Sequence, residues 1–148
     1  MQGIVMDYCQ RIINLWTVFL LGMLFHTDLG LMPLFHNLSV TEFQGQTMAD
    51  VAPIFWLMLI FFLLPLLAII VISFSQSRKV RQIHFGLTVL YSVLNLGHLI
   101  ADLMVETIVW HQIFLMAFLF LLGLLINIVS WRWFKAIKSI PVHPVSSY

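Results

Sequence analysis

His98 and Asp102 stand four residues apart in the stretch NLGHLIADLMVE, and Glu106 follows at the same interval. Residues at i and i+4 share one face of a helix, so an imidazole and a carboxylate project together here, as a chelating pair requires. His26 lies in a different apolar segment and is a natural third donor. Two neutral imidazoles and a carboxylate suit a metal ion, and His26, His98 and Asp102 are the expected ligands, with Asp28 and His111 as further contributors. Asp102 has an alternative use, accepting from the second ring nitrogen of His98 and so orienting it. The same residues allow two other chemistries. His26 and His98, at similar depth on different helices, are a candidate axial pair for one haem b packed by the bundle's phenylalanines. Histidines beside carboxylates also relay protons, because imidazole titrates near neutrality.

The segments that hold these groups are oily. Of the 148 residues, 61% are hydrophobic and 9% charged, and mean hydropathy is +1.02; soluble domains carry about 25% charged residues. The composition specifies an all-α integral membrane protein in a lipid bilayer. A hydrocarbon core of about 30 Å takes about 20 helical residues, and four runs qualify: 12–31, 54–74, 85–105 and 113–134. The expected architecture is one membrane domain over 1–148, a four-transmembrane-helix bundle with an outer loop 32–53, a cytoplasmic loop 75–84 and a cytoplasmic tail 135–148. Thr41 and Gln44 have capping-box spacing and predict a short surface helix in the outer loop. Pro65 predicts a kink in the second span, tolerated where a neighbour satisfies the freed carbonyl. A secretory signal is not expected in the first span, which is too long, is preceded only by Arg11 and lacks a small-x-small cleavage site.

Charge sets the orientation. Arg11, Arg78, Lys79, Arg81, Arg132, Lys135 and Lys138 all fall on one side, which the positive-inside rule makes cytoplasmic together with both termini. The outer loops are then periplasmic, lumenal or extracellular. Asp28, Glu42, Asp50, Asp102 and Glu106 fall toward that outer side with no Lys or Arg among them, an asymmetry that points to a cation or protons. Trp110 is expected at the outer surface, and Trp131 and Trp133 at the inner one, where amphipathic rings anchor.

The third span carries a longer pattern. His84, Thr88, Tyr91, Asn95, His98 and Asp102 recur at spacings of three and four and form one narrow stripe from the inner surface to the outer. Such a stripe cannot face lipid, where each unsatisfied polar group costs several kcal/mol (about 2–7). It is expected to face the bundle interior, a water-filled cavity or a partner, with His84 near the cytoplasmic surface. On the fourth span Gln112, Met116, Leu119, Gly123, Asn127 and Ser130 form a facing surface. Asn14 and Thr17 are the polar groups offered by the first span. Gly22, Gly86, Gly97 and Gly123 are expected packing sites, and the second span, bare of polar side chains between Ile54 and Ile72, is expected to be the most lipid-exposed.

No nucleophilic triad, phosphate-cradling glycine loop, dinucleotide fingerprint or nucleic-acid-binding patch is present, and the single Cys9 excludes an internal disulfide. The expected function is metal-ion or haem binding at the outer end, for redox chemistry or metal handling. Two alternatives stand beside it: a proton- or ion-coupled carrier that uses the whole stripe, and an accessory or assembly subunit of a larger membrane complex. A homo-oligomer is compatible with each of the three.

Overall fold

The computed structural model describes residues 2–38, 47–105 and 108–136, with side chains from Asp7 onward. Four helices form, α1 (Gln2–Leu31), α2 (Met48–Phe74), α3 (Arg78–Leu103) and α4 (Trp110–Lys135), with a short 3-10 turn at Met32–His36. No strand occurs among the described residues. All four helices are long and apolar enough to cross a membrane, which fits a bilayer environment.

The helices outrun the apolar segments that predict them. α1 begins at Gln2 rather than Ile12, α2 at Met48 rather than Ile54, and α3 at Arg78 rather than Phe85. Hydrocarbon thickness limits the apolar run, whereas polar first turns continue a helix wherever their ends are capped. At the start of α2 the Asp50 carboxylate accepts the Thr47 backbone N–H at 2.9 Å and the Thr47 hydroxyl at 2.7 Å. Ser77 caps α3 by accepting from the Val80 N–H at 3.3 Å. The expected loop 75–84 thus shrinks to Ser75, Gln76 and Ser77, and His84 lies within α3. The surface helix expected near Thr41 falls outside the described residues.

The backbone of α4 approaches both α3 and α1, while α2 touches α1 and, more sparingly, α3. Around the bundle the order is therefore α1, α2, α3, α4, with α1 and α3 parallel and facing each other across the diagonal. The core consists largely of Ile12, Trp16 and Phe19 from α1 and Met116, Leu119, Ile126 and Trp133 from α4. α2 buries only Pro65 and Ile72, and every residue from Pro53 to Ile60 is exposed. Gly22 lets α1 and α4 meet closely, since a Cβ there would lie 2.5 Å from Leu119 Cδ2. Gly123 sits 3.2 Å from Ser92 Oγ by the same measure, but Gly86 and Gly97 face open space and are not packing sites.

Apolar helices gain little from hydrophobic burial against each other in lipid, so close packing and interhelical hydrogen bonds must hold them. One such bond answers a defect in the sequence. Pro65 has no N–H, which leaves the carbonyl four residues earlier, that of Phe61, without its helical partner. Tyr91 of α3 donates its hydroxyl to that carbonyl at 2.6 Å, and the Tyr91 and Phe61 rings pack at 4.7 Å. The expected destabilisation of Tyr91→Phe is about 1 kcal/mol, falling toward zero when Pro65→Ala restores the N–H. Unfolding titrations of the four members of this cycle measure the coupling; equal losses in both backgrounds would mean that only the ring packing matters.

Candidate functional site

The stripe of α3 divides into two parts. Arg81, His84, Thr88, Tyr91, Ser92 and Asn95 are buried, whereas His98 is exposed and Asp102 half-buried. The buried part binds the bundle together. Trp16 of α1 donates its indole N–H to His84 Nε2 at 2.9 Å, Asn127 of α4 donates to Ser92 Oγ at 2.8 Å, and Arg81 Nη1 donates to the Trp133 carbonyl at 3.0 Å. The Thr88 hydroxyl returns to the Phe85 carbonyl of its own helix.

Above Asn95 the stripe opens, and α1 supplies a second histidine. His26 and His98 meet across the diagonal, their ring centroids 5.7 Å apart and their planes at 83°. Because α1 and α3 are parallel, they meet at two depths: Trp16 reaches His84, and His26, ten residues on in α1, reaches His98, fourteen residues on in α3. On α3 itself, His98 Nε2 lies 3.7 Å from Asp102 Oδ2, their side chains 53% and 26% exposed. That is too long for a hydrogen bond. One donor atom from each of His26, His98 and Asp102 lies within 4.8 Å of the other two. His26 Nδ1 and Asp102 Oδ2 are buried and have no hydrogen-bond partner.

This arrangement has definite chemical capacity. Two imidazoles and one carboxylate make a three-donor set with open coordination positions, a type used by zinc and by non-haem iron. Bonds of about 2.0–2.2 Å to one tetrahedral ion bring donors to about 3.3 Å from each other. Small side-chain rotations close the gap from 4.8 Å, and the half-exposed His98 has the freedom to make them.

The remaining expected residues are placed elsewhere. Asp28 follows His26 by two positions, about 200° around the helix; it is exposed and does not belong to the three-donor set. His111 is exposed on the first turn of α4 and is likewise outside the set. Glu106 lies outside the described residues. Asp50 caps α2, and His36 is exposed in the 3-10 turn. Asn14 and Thr17 face outward, bonded within α1. His84 is not at the surface, since its ring is buried between Trp16 and Trp133. Trp133, expected as an interfacial anchor, is fully buried beneath Arg81; Trp131 is exposed, with Lys135 Nζ 4.3 Å over its ring.

Arg81 and Ser92 are structural residues that the spacing argument omitted, although both continue its interval: Arg81 stands three before His84, and Ser92 four after Thr88. Trp16 left no polar signal, because its single N–H belongs to a side chain that also fits a core or an interface.

The placement predicts proximity that thiol chemistry can read. In a Cys9→Ser background, His26→Cys with His98→Cys should cross-link rapidly with a short thiol-specific reagent, and Asp28→Cys with His98→Cys far more slowly. Equal rates for the two pairs would remove His26 from the site.

No protein-family model matches the chain, and comparison with curated proteins and with solved structures likewise finds no match.

Proposed function

We propose that this chain is a multi-pass membrane protein that binds a divalent transition-metal ion through His26, His98 and Asp102, in metal handling or redox chemistry. Both termini lie on the cytoplasmic side in this reading, because Arg11, Arg78, Lys79, Arg81, Arg132 and Lys135 cluster at one end of the bundle. The site then opens toward the opposite side, among Asp28, Asp50 and Asp102. The observation that carries the proposal is the convergence of three donors, two of them with buried atoms that lack a hydrogen-bond partner. A buried carboxylate oxygen without a hydrogen bond is costly, and a cation relieves that cost directly.

A compact ion fits this arrangement better than haem b. A porphyrin between the two imidazoles would have to displace Asp102, whose carboxylate stands within 4.8 Å of both. With zinc as the probe, equilibrium dialysis should find one ion per chain. His98→Ala should lower affinity by about 100-fold or more, beyond the roughly 10–100-fold that outer-shell partners contribute. Asp28→Ala and His111→Ala should leave it unchanged. A Soret band that disappears in His98→Ala would assign haem instead, and a colourless protein that takes up no metal would overturn both.

One observation favours a second reading, a proton- or ion-coupled carrier. Asn95 Nδ2 and Asn127 Oδ1 are buried without partners midway along the bundle, below the three-donor site. If they line a path, Asn95→Leu stops flux in proteoliposomes and spares zinc binding. Flux unaffected by Asn95→Leu would exclude the stripe as that path.

A further inference from the structure

At the other end of the bundle lies a constellation that the His26–His98–Asp102 site does not use. Arg81, on the first turn of α3, is 4% exposed. Its Nε donates to the Gln76 carbonyl and its Nη1 to the Trp133 carbonyl, each at 3.0 Å, and the guanidinium stacks 4.9 Å from the centre of the Trp133 ring. These partners are neutral. The ion pairs among the described residues are Arg11–Asp7 and His98–Asp102, so the Arg81 charge meets no carboxylate there. A buried charge without a counter-charge is among the costliest features a fold can hold.

On α3 and α4, toward the same end, three buried polar atoms also lack hydrogen-bond partners: His84 Nδ1, Ser130 Oγ and Trp133 Nε1. The His84 and Trp133 rings are in edge contact at 5.8 Å, and Ser130 precedes Trp133 by one turn of α4. Trp16 donates to His84 Nε2, so in the neutral ring the proton sits on Nδ1. His84 Nδ1–H, Trp133 Nε1–H and the Ser130 hydroxyl therefore all have a hydrogen to give. The other charged groups at this end are Arg78, Lys79, Arg132 and Lys135, all basic, while Asp7 is paired with Arg11 at 2.8 Å.

We propose that the basic end of the bundle is a binding site for a phosphate oxyanion, held by Arg81 with His84, Ser130 and Trp133 as hydrogen-bond donors. Water alone would satisfy the three donors and leave the guanidinium charge uncompensated. A phosphate supplies several acceptor oxygens together with the missing negative charge, and guanidinium is the side chain best suited to it. The site lies where the first turn of α3 meets the last turns of α4, at the end of the bundle, and an anionic phospholipid headgroup or a free phosphate would enter it by displacing the side chains that now cover it. It shares no residue with the proposed metal site and stands or falls independently of it.

Thermal unfolding of the full chain in a non-ionic detergent tests the proposal, with phosphatidylglycerol, phosphatidylcholine or inorganic phosphate added. The expected result is a rise in Tm with phosphatidylglycerol beyond that with phosphatidylcholine, or a rise with inorganic phosphate. A rise with the lipid alone assigns a headgroup; a rise with phosphate as well assigns a free anion. Ser130→Ala, which deletes one unpaired donor at nearly constant bulk, and Trp133→Phe, which deletes another together with part of the buried ring, should weaken binding of the stabilising ligand about tenfold. Arg81→Gln should weaken it further, with partial rescue by Arg81→Lys. The proposal is overturned if neither phosphatidylglycerol nor phosphate raises Tm beyond phosphatidylcholine, or if Ser130→Ala and Trp133→Phe both leave the effect undiminished.

Discussion

Every hydrogen bond that joins two helices among the described residues has one end on α3. Tyr91 reaches the Phe61 carbonyl of α2, His84 accepts from Trp16 of α1, Ser92 accepts from Asn127 of α4, and Arg81 donates to the Trp133 carbonyl of α4. The pattern follows from one constraint. A helix in an apolar medium can keep a polar side chain only where another group covers and pairs it. Because α3 carries its polar residues on one narrow stripe, that stripe turns inward from Arg81 to Asn95, and the three other helices arrange themselves around it. α2 is held least, by one hydrogen bond to a proline-freed carbonyl and a few contacts, and it shows most of its surface.

The same constraint places the candidate site. α1 and α3 run parallel on either side of the bundle interior, so Trp16 covers His84 at one depth and His26 meets His98 nearer the other end. Within a largely apolar interior, α3 thus contributes a polar column whose two ends differ in kind. At the acidic end the unpaired atoms sit on imidazole and carboxylate, which offer lone pairs. At the basic end they are hydrogens on imidazole, indole and hydroxyl beside a guanidinium. A cation suits the first set and an oxyanion the second.

Much of this was legible in residue order. The apolar runs give four helices, and spacings of three and four identify the inward face of α3 and the facing surface of α4, where Met116, Leu119, Gly123 and Ser130 are indeed buried. Depth along two spans was enough to bring His26 and His98 together with Asp102. What was not legible depends on facts that a hydropathy profile does not carry. Helix ends are set by caps such as Ser77 and the Thr47–Asp50 pair, so the true start of α3, and with it the burial of Arg81 and His84, lay beyond the apolar run. Pro65 announced a free carbonyl but not its partner, because that depends on which helix lies beside α2. Asp28 and His111 share the acidic end with the donors, yet helix azimuth rather than depth decides which side chains converge.

The central claim is that His26, His98 and Asp102 form one coordination site, and electron paramagnetic resonance of the Cu²⁺-loaded protein tests it most directly. The account predicts one bound copper with two imidazole nitrogens in its coordination sphere, reduced to one in either His26→Ala or His98→Ala. A spectrum without histidine nitrogens, or one unchanged when both histidines are replaced, would contradict it.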